Sequence, residues 1–323
     1  MEQRQLGRSG LRVSRMALGT MTWGRDTESE EAASQLVAFV DAGGTLVDTA
    51  DVYCDGESER ILGGLLDDVV PREDVVVATK GVARRHDGPF GGGASRGALL
   101  AALEGSLRRL RLDHVDLWQL HAWDPAVPLE ETLTAVDHAI ATGKVRYVGV
   151  SNYSGWQLAT AATLRRDGPA QLVCTQVEYS LLERGIEREV VPAAAHHGIG
   201  LLPWAPLGRG VLTGKYRSGT PADSRGASPH FAPYVEHHRT ERAARIVQAV
   251  VTAADGLGTS PLAVALAWVR DRPGVIAPVV GARDTGQLTG SLAAEDLTLP
   301  PEIRSALDDV SSVEFGYPER PLR

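Results

Sequence analysis

Cysteine is scarce: the 323 residues hold two, Cys54 and Cys174. This excludes a disulfide framework, suits a reducing compartment and leaves both thiols as expected packing residues. Basic residues are in the minority, 33 Lys and Arg against 41 Asp and Glu, giving a formal net charge of −8. No broad basic surface for nucleic acid or anionic lipid is therefore expected. Long apolar runs are missing too, since nothing approaches the roughly 18 residues a membrane-spanning helix needs. The start, Met1-Glu2-Gln3-Arg4, lacks the apolar centre of a signal peptide, so a cytoplasmic location is expected. The histidine pairs His196-His197 and His237-His238 are adjacent and diverge on a helix, which gives no metal-site spacing. They read as surface residues, and no metal is expected.

What the chain does have is rhythm. Eight short, β-branched apolar runs recur: 13–18, 45–48, 75–79, 115–120, 146–150, 172–177, 200–203 and 275–280. Several, such as Val75-Val76-Val77-Ala78, are apolar on consecutive residues, as expected of strands covered on both faces. Helical signals lie between them: Glu28 to Val40 before Gly43-Gly44, Ser95 capping Arg96 to Leu110, and Pro128 opening a helix that stops at Gly143. Eight strand-then-helix units predict an α/β fold, a (β/α)8 barrel, in one domain over residues 1–323. An open doubly wound sheet is the weaker alternative. Arg4 to Val13 reads as an N-terminal β-hairpin turned by Gly7 and Gly10. Long loops are expected after strand 3 (His86 to Ala94) and after strand 7 (Leu207 to Arg239), and Ser311 to Arg323 reads as a tail.

Barrel chemistry sits at the C-terminal strand ends, and the polar residues expected there are informative. Asp48 and Tyr53 follow strand two, Lys80 ends strand three and His121 ends strand four. A cation stabilises phenolate, so Lys80 is expected to lower the Tyr53 pKa, with Asp48 keeping the buried ammonium charged. His121 can donate a hydrogen bond to a carbonyl oxygen. This set suits proton transfer to an oxygen gaining negative charge, but it holds no hydride source, so a reduction would need a nicotinamide cofactor.

These residues resemble the aldo-keto reductase family along nearly the whole chain. The matching segments are 19–24, Asp48-Thr49-Ala50-Asp51-Val52-Tyr53, 56–59, Ala78-Thr79-Lys80, 115–121, 143–152 and Pro203-Trp204-Ala205-Pro206-Leu207-Gly208. The resemblance implies a barrel that binds NADPH without a Rossmann fingerprint, and none is present. It assigns the catalytic tetrad to Asp48, Tyr53, Lys80 and His121, with Tyr53 as general acid. It further implies Ser151, Asn152 and Gln176 at the carboxamide, Trp204 stacked on the nicotinamide, and Leu207 to Gly210 along the pyrophosphate, with Pro206, Gly208 and Arg209 in that stretch. Gly281, Ala282, Arg283 and Gln287 fall at the adenosine end, with Arg283 as the 2′-phosphate partner. Gly19, Thr20, Asp48 and Ser291 complete the expected cofactor contacts. Trp23 and Trp123, with Tyr53 and His121, are expected to line the site of a small-molecule carbonyl substrate.

Two positions depart from the family pattern: Ser291 replaces a frequent asparagine near the adenine, and Cys54 replaces a frequent glycine. The expected activity is reduction of an aldehyde or ketone with NADPH. Two rivals stay open, a nicotinamide-binding regulatory subunit with little turnover and a Schiff-base aldolase using Lys80. The resemblance is compatible with a monomer or a homo-oligomer.

Overall fold

The computed structural model describes residues 1–317 apart from 167, 169, 223, 229 and 230. Part of the expected tail, residues 318–323 with both its prolines, lies outside the described residues.

A two-stranded antiparallel hairpin comes first, β1 (Gln3–Gln5) and β2 (Arg12–Ser14). Gly7 turns it with φ +57, and a Cβ there would stand 2.3 Å from the Val173 carbonyl oxygen, so only glycine fits. Gly10 has no positive φ. Eight parallel strands follow: β3 (Ala17–Gly19), β4 (Leu46–Asp48), β5 (Val76–Gly81), β6 (Val115–Leu120), β7 (Val145–Ser151), β8 (Leu172–Glu178), β9 (Gly200–Trp204) and β10 (Val279–Gly281). Their order is β10-β3-β4-β5-β6-β7-β8-β9, and the β9–β10 seam is bridged by Leu201 N to Gly274 O and Ile276 N to Leu201 O, both 2.9 Å. This is the expected (β/α)8 barrel with its hairpin.

Helices lie between the strands: α1 (Ser29–Asp41), α2 (Glu57–Leu65), α3 (Arg96–Leu110), α4 (Leu129–Ala141), α5 (Gly155–Leu164) and α6 (Val190–His197). A short α7 (Ala232–Glu236) sits within the segment after β9, followed by α8 (Glu241–Leu257), α9 (Pro261–Arg270), α10 (Thr285–Leu292) and α11 (Pro301–Val310). Ser95 caps α3 by accepting from Ala98 N, as its sequence position predicts.

Two of the eight runs give strands only half as long as expected. The 13–18 run breaks because Ser14 Oγ donates to Met16 O at 2.7 Å while Arg15 is drawn to Glu2 and Glu295, so only Ala17–Gly19 joins the barrel. In the 275–280 run, Pro278 has no N–H to pair, and the regular strand is delayed to Val279–Gly281.

Inside the barrel lies an apolar layer made by Ala17, Leu46, Ala78, Leu117, Cys174, Leu202 and Val279, plugged by Leu6 and Val13 of the hairpin. The hairpin closes the N-terminal end, which leaves the other end for chemistry. Among the described residues, no single helix is long and apolar enough to cross a membrane, and no cluster suits a metal ion. His238 is buried, not at the surface as its position beside His237 predicts, because its ring faces Glu178 from 3.6 Å.

Candidate active site

Strand alternation builds the site. Two residues above the apolar layer, the same inward face carries Asp48 after Leu46, Lys80 after Ala78, Gln119 after Leu117 and Gln176 after Cys174. All four are buried. Lys80 Nζ donates to Asp48 Oδ2 at 2.7 Å, to Thr49 O at 2.9 Å and to Tyr53 Oη at 3.2 Å. Asp48 Oδ1 accepts from Gln119 at 3.1 Å and from Gln176 at 2.8 Å. The carboxylate is thereby satisfied on both oxygens, which a buried charge requires.

Tyr53 opens a tight 3-10 turn, Tyr53–Gly56, in which Cys54 and Asp55 adopt φ of +49 and +53. Two non-glycine residues in this region mark strain next to the phenol. Burial raises the Tyr53 pKa above its ordinary value, with Lys80 opposing it. The acidified phenol expected from the sequence is therefore corrected: desolvation outweighs the cation, and Tyr53 is held as a phenol. Burial also works to lower the Lys80 pKa, but Asp48 and Tyr53 outweigh it, so the ammonium stays charged. His121 is pushed down to about 3 by burial and by Lys80, so its imidazole is neutral. Its ring meets Tyr53 edge-on with centroids 6.1 Å apart.

Above this set opens a cleft of about 260 Å³ that collects Gly19, Asp48, Tyr53, His121, Ser151, Asn152, Gln176, Trp204, Arg209 and Gly281. Asn152 links two of its walls, donating to His121 O and accepting from Trp204 Nε1, both at 3.0 Å. Ser151 Oγ is engaged with Gln176 O at 2.9 Å. A neighbouring groove of about 410 Å³ gathers Pro206, Leu207, Arg209, Gly210, Gly281, Arg283, Gln287 and Ser291.

Other expected contacts fall outside both spaces. Trp23 is buried and donates to Gln35 at 3.0 Å, so it is core and not a substrate wall. Trp123 packs edge-on against Tyr153 and Trp156, away from the cleft lining. Thr20 is buried with its hydroxyl on Asp48 O and Ser58, Gly208 is buried against Leu182, and Ala282 is buried with its carbonyl accepting from Thr22.

Some lining residues escaped the sequence reading. Phe231, Tyr234 and Val235 descend from the segment after β9, and Met21 joins them. The signal for Phe231, Tyr234 and Val235 was an apolar patch inside an otherwise Gly, Pro and Ser-rich loop. Lys215 lines the groove, where a Cβ on Gly210 would come within 3.2 Å of its Cε. Arg209 faces both spaces, stacked over Trp204 and Tyr234 and paired with Glu178 at 3.2 Å.

The model of the "Aldo/keto reductase family" matches residues 15–312. An uncharacterized oxidoreductase, YrpG, of Bacillus subtilis (strain 168) is 37% identical over 96% of this chain and 96% of its own. A probable voltage-gated potassium channel subunit beta of Oryza sativa subsp. japonica is 36% identical over 99% of this chain and 98% of its own. L-glyceraldehyde 3-phosphate reductase of Escherichia coli (strain K12) is 32% identical over 91% of this chain and 87% of its own. With the barrel, the polar layer and these matches in agreement, the chain belongs to the aldo/keto reductase family.

Proposed function

We propose that the protein is an NADPH-dependent carbonyl reductase, with Tyr53 as proton donor to the carbonyl oxygen. The observation that carries this reading is Lys80, which holds buried Asp48 at 2.7 Å and half-buried Tyr53 at 3.2 Å in one chain that opens on the cleft. The groove supports a dinucleotide. Lys215 and Arg283 face it with no carboxylate partner among the described residues, and Gly210 leaves room for Lys215. Such unpaired cations suit a diphosphate and a 2′-phosphate. When bound, the reduced nicotinamide supplies hydride.

The chain's own residues do the rest. Neutral His121 donates a hydrogen bond that orients and polarises the carbonyl. Tyr53, kept protonated by burial, gives its proton to the oxygen as charge develops there. Lys80 then stabilises the phenolate, and Asp48, pinned by Gln119 and Gln176, keeps Lys80 in place. Met21, Phe231, Tyr234 and Val235 give the cleft an apolar wall suited to an apolar aldehyde or ketone.

The raised Lys80 pKa argues against an imine-forming aldolase, because an ammonium has no lone pair for attack. The rice channel subunit supports a second reading, a binding subunit with little turnover. A panel of aldehydes, ketones and sugars, followed by loss of NADPH absorbance with NADH in parallel, separates the two. Turnover with NADPH supports the reductase, whereas tight NADPH binding without turnover supports the subunit.

A further inference from the structure

Between α2 and the end of α3 lies a hollow of about 350 Å³ lined by Arg60, Gly105, Arg108, Arg109 and Arg111. It shares no lining residue with the cleft or the groove, and among the described residues no acidic side chain lines it. Glycine brings its walls together. A Cβ on Gly63 of α2 would stand 2.5 Å from Leu110 O, so the two helices meet closely at the end of α3. Arg60, one turn before Gly63 on the same face of α2, is thereby set against the last turn of α3. A Cβ on Gly56, which ends the Tyr53 turn, would stand 2.6 Å from Arg109 Cδ, which places the hollow just behind that turn.

Of the four guanidiniums, two are compensated and two are not. Arg109 Nε donates to buried Glu59 at 2.7 Å and Nη2 to Ser106 Oγ at 3.4 Å, which makes Arg109 a fixed wall. Arg60 Nη1 is engaged by Glu57 at 3.2 Å. Arg108 and Arg111 are exposed, and neither side chain has a partner among the described residues. Each presents a full planar fork of N–H donors, the geometry that grips phosphate oxygens in pairs.

Local backbone preference is overridden twice at this spot. Gly105 stands in the interior of α3, where glycine weakens a helix, and a Cβ there would come within 3.0 Å of Arg109 Nη1. Arg111 caps α3 at φ +57, a conformation that favours glycine. Residues held against local preference collect at functional sites. The α3 dipole favours cations in its last turn, but its end carries only about half a charge and does not call for Arg60 from α2.

We propose that this hollow binds a small anion carrying two phosphate groups, gripped by Arg108 and Arg111. Each unpaired fork takes one phosphate group, and Arg109 Nη1 with the remaining donors of Arg60 steadies the anion from the sides.

Calorimetric titration of the full chain with inorganic pyrophosphate at about 0.15 M salt tests this, and the readout does not depend on the reductase reading. The native chain should bind, and Arg108→Ala and Arg111→Gly should each weaken binding about tenfold or more. Arg111→Gly should also raise the urea midpoint by relieving the positive φ, which separates lost binding from lost folding. A Lys215→Ala, Arg283→Ala double variant, which strips the groove, should keep the binding that depends on Arg108. Fructose bisphosphate, whose phosphates stand further apart, forms the second arm: tighter pyrophosphate assigns a linked diphosphate, tighter bisphosphate a sugar ester, and either supports the site. Uptake of neither compound, sulfate that competes as well as pyrophosphate at equal ionic strength, or pyrophosphate binding lost only in the groove variant overturns it.

Discussion

Gln176 donates a 2.8 Å hydrogen bond to Oδ1 of Asp48, the oxygen opposite the one that holds Lys80. The amide fixes the plane of the carboxylate, and through it the ammonium that touches Tyr53. A residue expected at the cofactor thus also helps to fix the groups around Tyr53.

Removing the charge at Asp48 strands that ammonium in the barrel. Asp48→Asn should cost about 3–5 kcal/mol of stability in urea unfolding, because a buried cation loses its counter-ion. Gln176→Leu should cost only about 1–2 kcal/mol, since Gln119 still donates to Asp48. Equal losses in the two variants would contradict this division.

Arg283 and Lys215 should separate by what they read. Arg283→Ala is expected to weaken NADPH by about 10- to 100-fold and NADH little, whereas Lys215→Ala should weaken both alike. Fluorescence titration with each nucleotide measures this. Equal loss of both nucleotides in Arg283→Ala would remove it from the 2′-phosphate.

Half-buried His121 and buried Asp51 should tilt stability in opposite directions with pH. His121 sits at about 3 when folded against an ordinary 6.5, so the unfolded chain binds the proton first and stability is lost as pH falls through that range. Asp51 sits at about 7 against 3.8, so the folded chain keeps a proton that the unfolded chain has shed, and stability is lost as pH rises between them. Asp51→Asn should therefore gain stability relative to the native chain as pH rises from 4 to 7, by roughly 4 kcal/mol at about 1.4 kcal/mol per unit. His121→Asn should gain relative stability as pH falls from 6.5 towards 3. Denaturant midpoints across pH measure both, and parallel curves for native and variant chains would contradict the assignment.

The barrel was legible because parallel strands covered on both faces read as consecutive apolar residues, as in Val75 to Ala78. The same alternation carries Asp48 and Lys80 inward, so these two could be placed from strand ends, whereas the tetrad as a set is what the family resemblance implies. What stayed hidden depends on contacts across the fold. The break after Ser14 comes from hydrogen bonds to Met16 and Thr45, and the core position of Trp23 comes from Gln35. The pKa of Tyr53 could not be read either, because neighbours in sequence show its cation but not the depth of its burial. Lys215 and Tyr234 reach the site from an irregular segment whose path no periodicity records.

The most direct test compares Tyr53→Phe with the native chain in two measurements on one preparation: the dissociation constant for NADPH and the rate of carbonyl-dependent NADPH oxidation. The account predicts unchanged NADPH affinity and a rate lower by about 10²- to 10⁴-fold, the usual worth of a general acid. A variant that oxidises NADPH at the native rate would contradict it.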